Sequence, residues 1–233
     1  MKLLILFILL SFSLNANMNV VCKAGVMDNN SAKKYINKLL KKEPENIEYI
    51  LKLADVHLKS GEILKGYKYI ARAYKINPRA VKDSEISNIL SYALEMTDLA
   101  KRAKQSNDKR LWNELGDNFF NMGVCKETVT AYENSLALDK NQEDISLKLV
   151  LSYKKSNQIY KAVERLKLLL QENSKIFYAN YYLAKIFRYS LNDEKLAKIY
   201  FTKAKKILIN QKGNFASTQY PHLMYDITSE LGK

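Results

Sequence analysis

Proline occurs 3 times and glycine 7 times in 233 residues, too few chain-breakers for the many turns of an all-β design, so an α-rich chain is expected. Histidine is almost absent, with only His57 and His222, and the two cysteines, Cys22 and Cys125, lie near neither. A metal site needs clustered ligands of these types, so no metal is expected. Also missing are a glycine-rich phosphate loop, a G-x-S-x-G elbow and a zinc-protease helix, whose backbone and ligand geometry such chemistry depends on. Catalytic residues and cofactors are therefore not expected, and neither is enzymatic activity. Acid is scarce as well: 24 Asp and Glu stand against 38 Lys and Arg, a formal charge of +14, which favours anionic partners in general.

What is present begins with "MKLLILFILLSFSLNANMN". One lysine, an apolar run from Leu3 to Leu10 continued to Leu14, and then Asn15, Ala16 and Asn17 form the pattern of a secretory signal, with cleavage after Ala16. The run is short of the ~20 residues a spanning helix needs. Val20 and Val21 precede Cys22 where lipoprotein processing wants a small residue, so lipid anchoring is not expected. The expected location is periplasmic or secreted. Loss of residues 1–16 removes Lys2 alone among charged residues, so +14 becomes +13. Behind such a signal the anionic partner is expected to be an acidic protein segment, anionic lipid or envelope polymer, and not nucleic acid. Two readings of the cysteines stay open: a Cys22–Cys125 disulfide, favoured by an oxidising compartment, or a buried free Cys125 with a loose Cys22.

The next signal is a period. Pro44 and Pro78 stand 34 residues apart, each after an amphipathic Lys-rich stretch. Between them, Ile50, Leu53, Ala54 and His57 share one helical face, Ile63, Tyr67, Ile70, Ala73 and Tyr74 another, and Gly61 separates the two. A better copy is "LWNELGDNFFNMG", with Trp112, Leu115, Gly116, Phe119 and the turn residue Gly123, followed by Thr128, Tyr132 and Ser135. Thirty-four residues on lie Leu149, Tyr153, Ala162 and Leu166. Another 34 give Leu183, Ala184 and Phe187, and a one-residue insertion near 191–193 restores Ala197, Phe201 and Ala204.

These positions resemble the tetratricopeptide repeat family, whose pattern is W-x2-L-G-x2-Y, a turn, A-x3-F-x2-A and then P. The second helix after Gly123 departs from it, with Lys140 in the proline slot. The resemblance implies an all-α fold, an α-solenoid of helix-turn-helix repeats in which each pair buries an apolar face against the next. The expected organisation is a signal at 1–16, an arm at 17–30, a repeat array at 31–212 and a C-terminal capping segment at 213–233. Residues 79–108 form a degenerate unit, read as one long helix capped by Asp83 or Ser84. Ala32, Ile36 and Leu39 mark an N-terminal cap, and Pro221, Leu223, Met224 and Ile227 a C-terminal one.

In this family the first helices of the pairs line a groove. Carried onto this chain, one half of that lining is mixed in charge: Glu48, Leu51, Asp55, Leu58 and Lys59, then Arg110, Asn113, Asp117, Phe120 and Asn121. The other half is basic and aromatic: Lys148, Lys154 and Lys155, then Tyr178, Tyr181, Tyr182, Lys185, Arg188 and Tyr189. Tyrosine beside Arg or Lys is a usual composition of interface anchors, and a segment carrying acidic and apolar residues would suit it. The resemblance thus implies a non-enzymatic scaffold or adaptor that binds a protein segment and supports assembly of an envelope complex in a bacterial periplasm. A rival reading uses the second-helix lysines, among them Lys65, Lys68, Arg72 and Lys75, as a surface for anionic membrane or envelope polymer. The bland reading of both sets is a solvated basic face with tyrosines at helix contacts.

Overall fold

The computed structural model describes residues 29–211 and 218–232. Among them are twelve α-helices, one 3-10 turn and no strand. The signal at 1–16, most of the arm at 17–30, and Cys22 lie outside the described residues. Two compact units are separated between Lys140 and Asn141, inside the segment that the repeat period joins as one array.

The first unit opens with α1, Asn29–Lys42, which packs Ile36 and Leu40 against the hairpin of α2, Ile47–Lys59, and α3, Ile63–Ile76. Asn46 caps α2 by accepting a hydrogen bond from the Tyr49 amide at 3.2 Å. Ile50, Leu53, Ala54, Ile70 and Ala73 are fully buried where the two helices meet. After α3 the chain makes the short α4, Pro78–Lys82, then a 3-10 turn at Ser87–Ile89, and only then α5, Leu90–Gln105. The long helix expected from Asp83 or Ser84 therefore begins later. Pro78 at the first turn of α4, with Asn77 accepting from the Ala80 amide, starts a separate helix. Ser84 Oγ then donates to the Val81 carbonyl and closes that helix instead of capping the next. The expected apolar face of α5 is buried from Leu90 through Ala93, Met96, Ala100 and Ala103. A second hairpin, α6, Lys109–Asn121, and α7, Cys125–Leu138, completes the unit, with α6 packed on α5.

The second unit has two hairpins: α8, Glu143–Lys155, with α9, Ile159–Glu172, and α10, Phe177–Tyr189, with α11, Glu194–Asn210. A last helix, α12, Gln219–Leu231, packs on α11 and buries Ile227 completely.

The 34-residue period appears in the helix bounds themselves. α6, α8 and α10 start at 109, 143 and 177 and each spans 13 residues, while α7 and α9 start at 125 and 159 and each spans 14. α11 starts one residue late, at 194, so the extra residue is absorbed in the turn. All four hairpin turns carry a left-handed residue at the matching place: Gly61, Gly123, Asn157 and Asn192, with φ of 72°, 72°, 60° and 54°. The fold is all-α, built of tetratricopeptide-like hairpins with α1 and α12 as terminal capping helices.

Two hairpins of the first unit are closed by a glycine against a large side chain, Gly66 against Leu58 and Gly116 against Tyr132. A Cβ on Gly116 would lie 2.4 Å from the Tyr132 ring, which is itself fully buried and donates its hydroxyl to Asp117 at 2.7 Å. Only glycine lets α6 and α7 approach this closely.

Candidate functional site

The basic and aromatic face of the second unit lies on α8 and α10. In α10 the packing signature faces inward: Leu183 and Ala184 are fully buried and Phe187 nearly so. The remaining residues divide in a way that periodicity alone could not resolve, because α12 lies against α10.

Tyr181 and Arg188 are buried by that helix, at 9% and 8% exposure. The Tyr181 hydroxyl donates to Asp226 Oδ2 at 2.6 Å, and Lys185 Nζ reaches the same carboxylate at 3.3 Å while sitting 5.0 Å from the Tyr181 ring centre. Burial, reinforced by the bond to Asp226, pushes the Tyr181 hydroxyl up to about 12. Arg188 donates through Nη1 to Glu230 Oε2 at 2.7 Å and through Nη2 to Glu194 Oε2 at 2.7 Å, its guanidinium 5.2 Å from the Phe201 ring centre. The Tyr189 hydroxyl donates to Glu230 Oε1, and Gln219 Nε2 to the Tyr178 hydroxyl. Asp226 and Glu230 are four residues apart, hence on one face of α12, with Ile227 between them filling the apolar contact.

Tyr178, Tyr181, Lys185, Arg188 and Tyr189 are thus engaged by α12. The structure brings these five expected groove residues together, around an occupant. Of the other four, Tyr182 lies next to Tyr178 on α10 and three lie on α8. Tyr178 and Tyr182 are half-buried with ring centres 5.8 Å apart, and burial raises the Tyr182 hydroxyl. On α8, Lys148 is half-buried and Lys154 and Lys155 are exposed.

The mixed lining of the first unit is largely satisfied within itself. Glu48 pairs with Lys52 at 2.5 Å and Asp55 with Lys59 at 2.6 Å, Arg110 turns back to Asp108 at 2.9 Å, and Asn113 accepts from Ser135 Oγ. His57 is buried, stacked on Tyr69, with Nδ1 2.6 Å from Glu62 Oε2. Glu62 also receives Lys33 at 2.5 Å and Lys65 at 2.9 Å, an ionic knot that ties α1 to the α2–α3 hairpin. Sequence reasoning missed this knot, since nothing in the period pairs Lys33 with a turn residue 29 positions away. Among the described residues no three of His, Cys, Asp and Glu gather as metal ligands would. Cys125, buried at the start of α7, is not a free thiol, and Cys22 lies outside the described residues.

No protein-family model and no curated protein matches the chain. Solved structures do. One of MamA is 17% identical, covering 81% of this chain and 92% of that one with a TM-score of 0.43. YrrB, titled a TPR protein with an unusual peptide-binding site, is 14% identical over 76% of this chain and 94% of its own, with a TM-score of 0.46. PilW, titled a widely conserved type IV pilus biogenesis factor, is 18% identical over 93% and 88%, with a TM-score of 0.42.

Proposed function

We propose that the chain is a non-enzymatic protein-interaction scaffold that holds an acidic, partly apolar segment of a partner on the α8–α10 face, in support of an envelope assembly. The observation that carries this reading is α12. An amphipathic helix presenting Asp226, Ile227 and Glu230 seats itself on Tyr181, Lys185, Arg188 and Tyr189. The surface therefore accepts that chemistry with hydrogen-bonded carboxylates and a buried aliphatic side chain. Tyr182 on α10 and Lys148, Lys154 and Lys155 on α8 carry the same composition, and a partner segment engages them alongside α12. The N-terminal run supports a periplasmic location, and N-terminal sequencing of protein recovered from the periplasm should begin at Asn17.

The experiment is photo-crosslinking in cells from a benzophenone amino acid at Tyr182, compared with the same group at exposed Tyr160 on α9. A discrete protein adduct from position 182 that is lost with Lys154→Glu plus Lys155→Glu supports the reading. Identical adducts from both positions, or one indifferent to the two lysines, would refute it.

A further inference from the structure

A separate concave surface lies in the first unit, away from the first-helix face. A cleft of about 710 Å³ opens between α3, the second helix of its hairpin, and α5. The volume is within the range of ligand-sized sites. Its rim is cationic: Lys68 and Lys75 from α3, Lys101 and Lys104 from α5, and Arg72, against one acid, Glu45. Arg72 donates to the Pro44 carbonyl, which fixes its guanidinium at the cleft edge. None of the four lysines forms an ion pair among the described residues. Burial and the charges of Lys104 and Lys65 lower the Lys68 ammonium, as expected for like charges crowded together.

The floor differs in kind. Ala71 and Ala100 are buried small residues and Ile76 is exposed, so the base is apolar. Thr97 lines the cleft too, and its Oγ1 is inaccessible and without a hydrogen-bond partner. A buried hydroxyl left unsatisfied is destabilising, a cost borne beneath the cleft floor and out of a ligand's reach.

We infer that this cleft binds a short, extended acidic segment of a partner protein, its carboxylates held by Lys68, Lys75, Lys101 and Lys104 and an intervening apolar side chain set on Ala71 and Ala100. Concavity favours this occupant over a bilayer, whose surface could meet the rim but not the floor. The apolar floor favours it over a phosphate polymer, which has nothing to place there. A strand alternates its side chains, so carboxylates at every second position with aliphatics between them match rim and floor at once. The degenerate unit explains why the cleft exists: α4 and the 3-10 turn replace a regular first helix, and α5 meets α3 without a full hairpin beside it. The site is additional to the α8–α10 face and stands or falls separately.

The test uses the full mature chain and fluorescence anisotropy with a fluorescein-labelled octapeptide of alternating Glu and Leu, kept extended by one central proline. Lys101→Glu with Lys104→Glu should weaken binding by about tenfold or more. Lys198→Glu with Lys206→Glu on α11, an equal change of net charge elsewhere, should change it less than about twofold. Thr97→Val should raise the melting temperature of the free protein and leave peptide binding within about twofold, which shows that substitution in α5 does not by itself abolish binding. Equal losses in the two charge-reversed proteins, unaltered binding in the cleft variant, or preference for phosphatidylglycerol vesicles over the peptide would each overturn the proposal.

Discussion

Gly116 shows how much one absent methyl decides. With the Tyr132 ring 2.4 Å from where a Cβ would stand, Gly116→Ala must push a fully buried aromatic or part α6 from α7. The expected loss is about 1–3 kcal/mol, as for other overpacked interiors, read as a lower urea midpoint. Two carboxyls in the same unit should respond to pH with opposite signs. Burial raises the Glu62 carboxyl, but hydrogen bonds from Lys33, Lys65 and His57 outweigh it and hold it well below the usual range. Its contribution is present above about pH 4.5, the ordinary glutamate value, and is lost as pH falls toward the depressed one. Glu62→Gln should therefore cost about 1–3 kcal/mol at pH 7, and the difference from the parent should shrink in acid. Burial raises the Glu127 carboxyl, although Leu64 N–H donates to it at 3.3 Å, and its Oε2 has no partner. Its ionisation costs stability as pH rises through and above the ordinary value, so Glu127→Gln should raise the melting temperature at pH 7 and lose that advantage below about pH 4. Neither carboxyl is conspicuous in the sequence, because both act across helices at separations unrelated to the period.

At the scale of elements, the hairpin turns were half legible. Gly61 and Gly123 announce themselves, while Asn157 and Asn192 do the same work with the residue type that best tolerates a left-handed backbone. Laying Asn157 thirty-four residues after Gly123 is the signal that would have identified it. Asn157→Gly should gain up to about 1 kcal/mol and Asn157→Val should lose at least that much, since a β-branched side chain resists φ near 60°; a thermal melt of each decides. The phase of α10 was legible to the residue, as Leu183, Ala184 and Phe187 prove buried. The fate of its other face was not, since α12 reaches it by hydrogen bonds spanning 41 to 45 residues. Asp226 and Glu230, spaced to meet two cations, were the overlooked cue. Arg188→Ala should cost about 3 kcal/mol or more by stranding Glu230, which is 5% exposed. It should also raise hydrogen exchange in α12 ahead of global unfolding.

At the scale of the molecule, a formal charge of +14 is carried by two units that each have their own buried core. Self-repulsion of this kind is relieved by salt, so the melting temperature should rise between low and physiological ionic strength. A Cys22–Cys125 bridge would close a loop of about 100 residues, worth up to about 4–5 kcal/mol in the chain-entropy picture. We expect non-reduced peptide mapping of exported protein to recover the two cysteines linked; two separately alkylated thiols would exclude it. Fold class and repeat phase were accessible because a hairpin's interior repeats every 34 residues. Binding surfaces were less so, because partners and terminal helices compete for faces that look alike in sequence.

That competition gives α12 one more role. A stack of identical hairpins has no inherent last member, since the outer face of each resembles the inner face that the next would cover. By covering α10 and α11 with a helix whose own outer side bears Tyr225, Thr228 and Ser229, all exposed, the chain stops being a template for another copy of itself. In polymer terms α12 is a chain terminator. A protein ending at Gln211 should form species in sedimentation velocity whose mass climbs with concentration, as head-to-tail contacts without closure do.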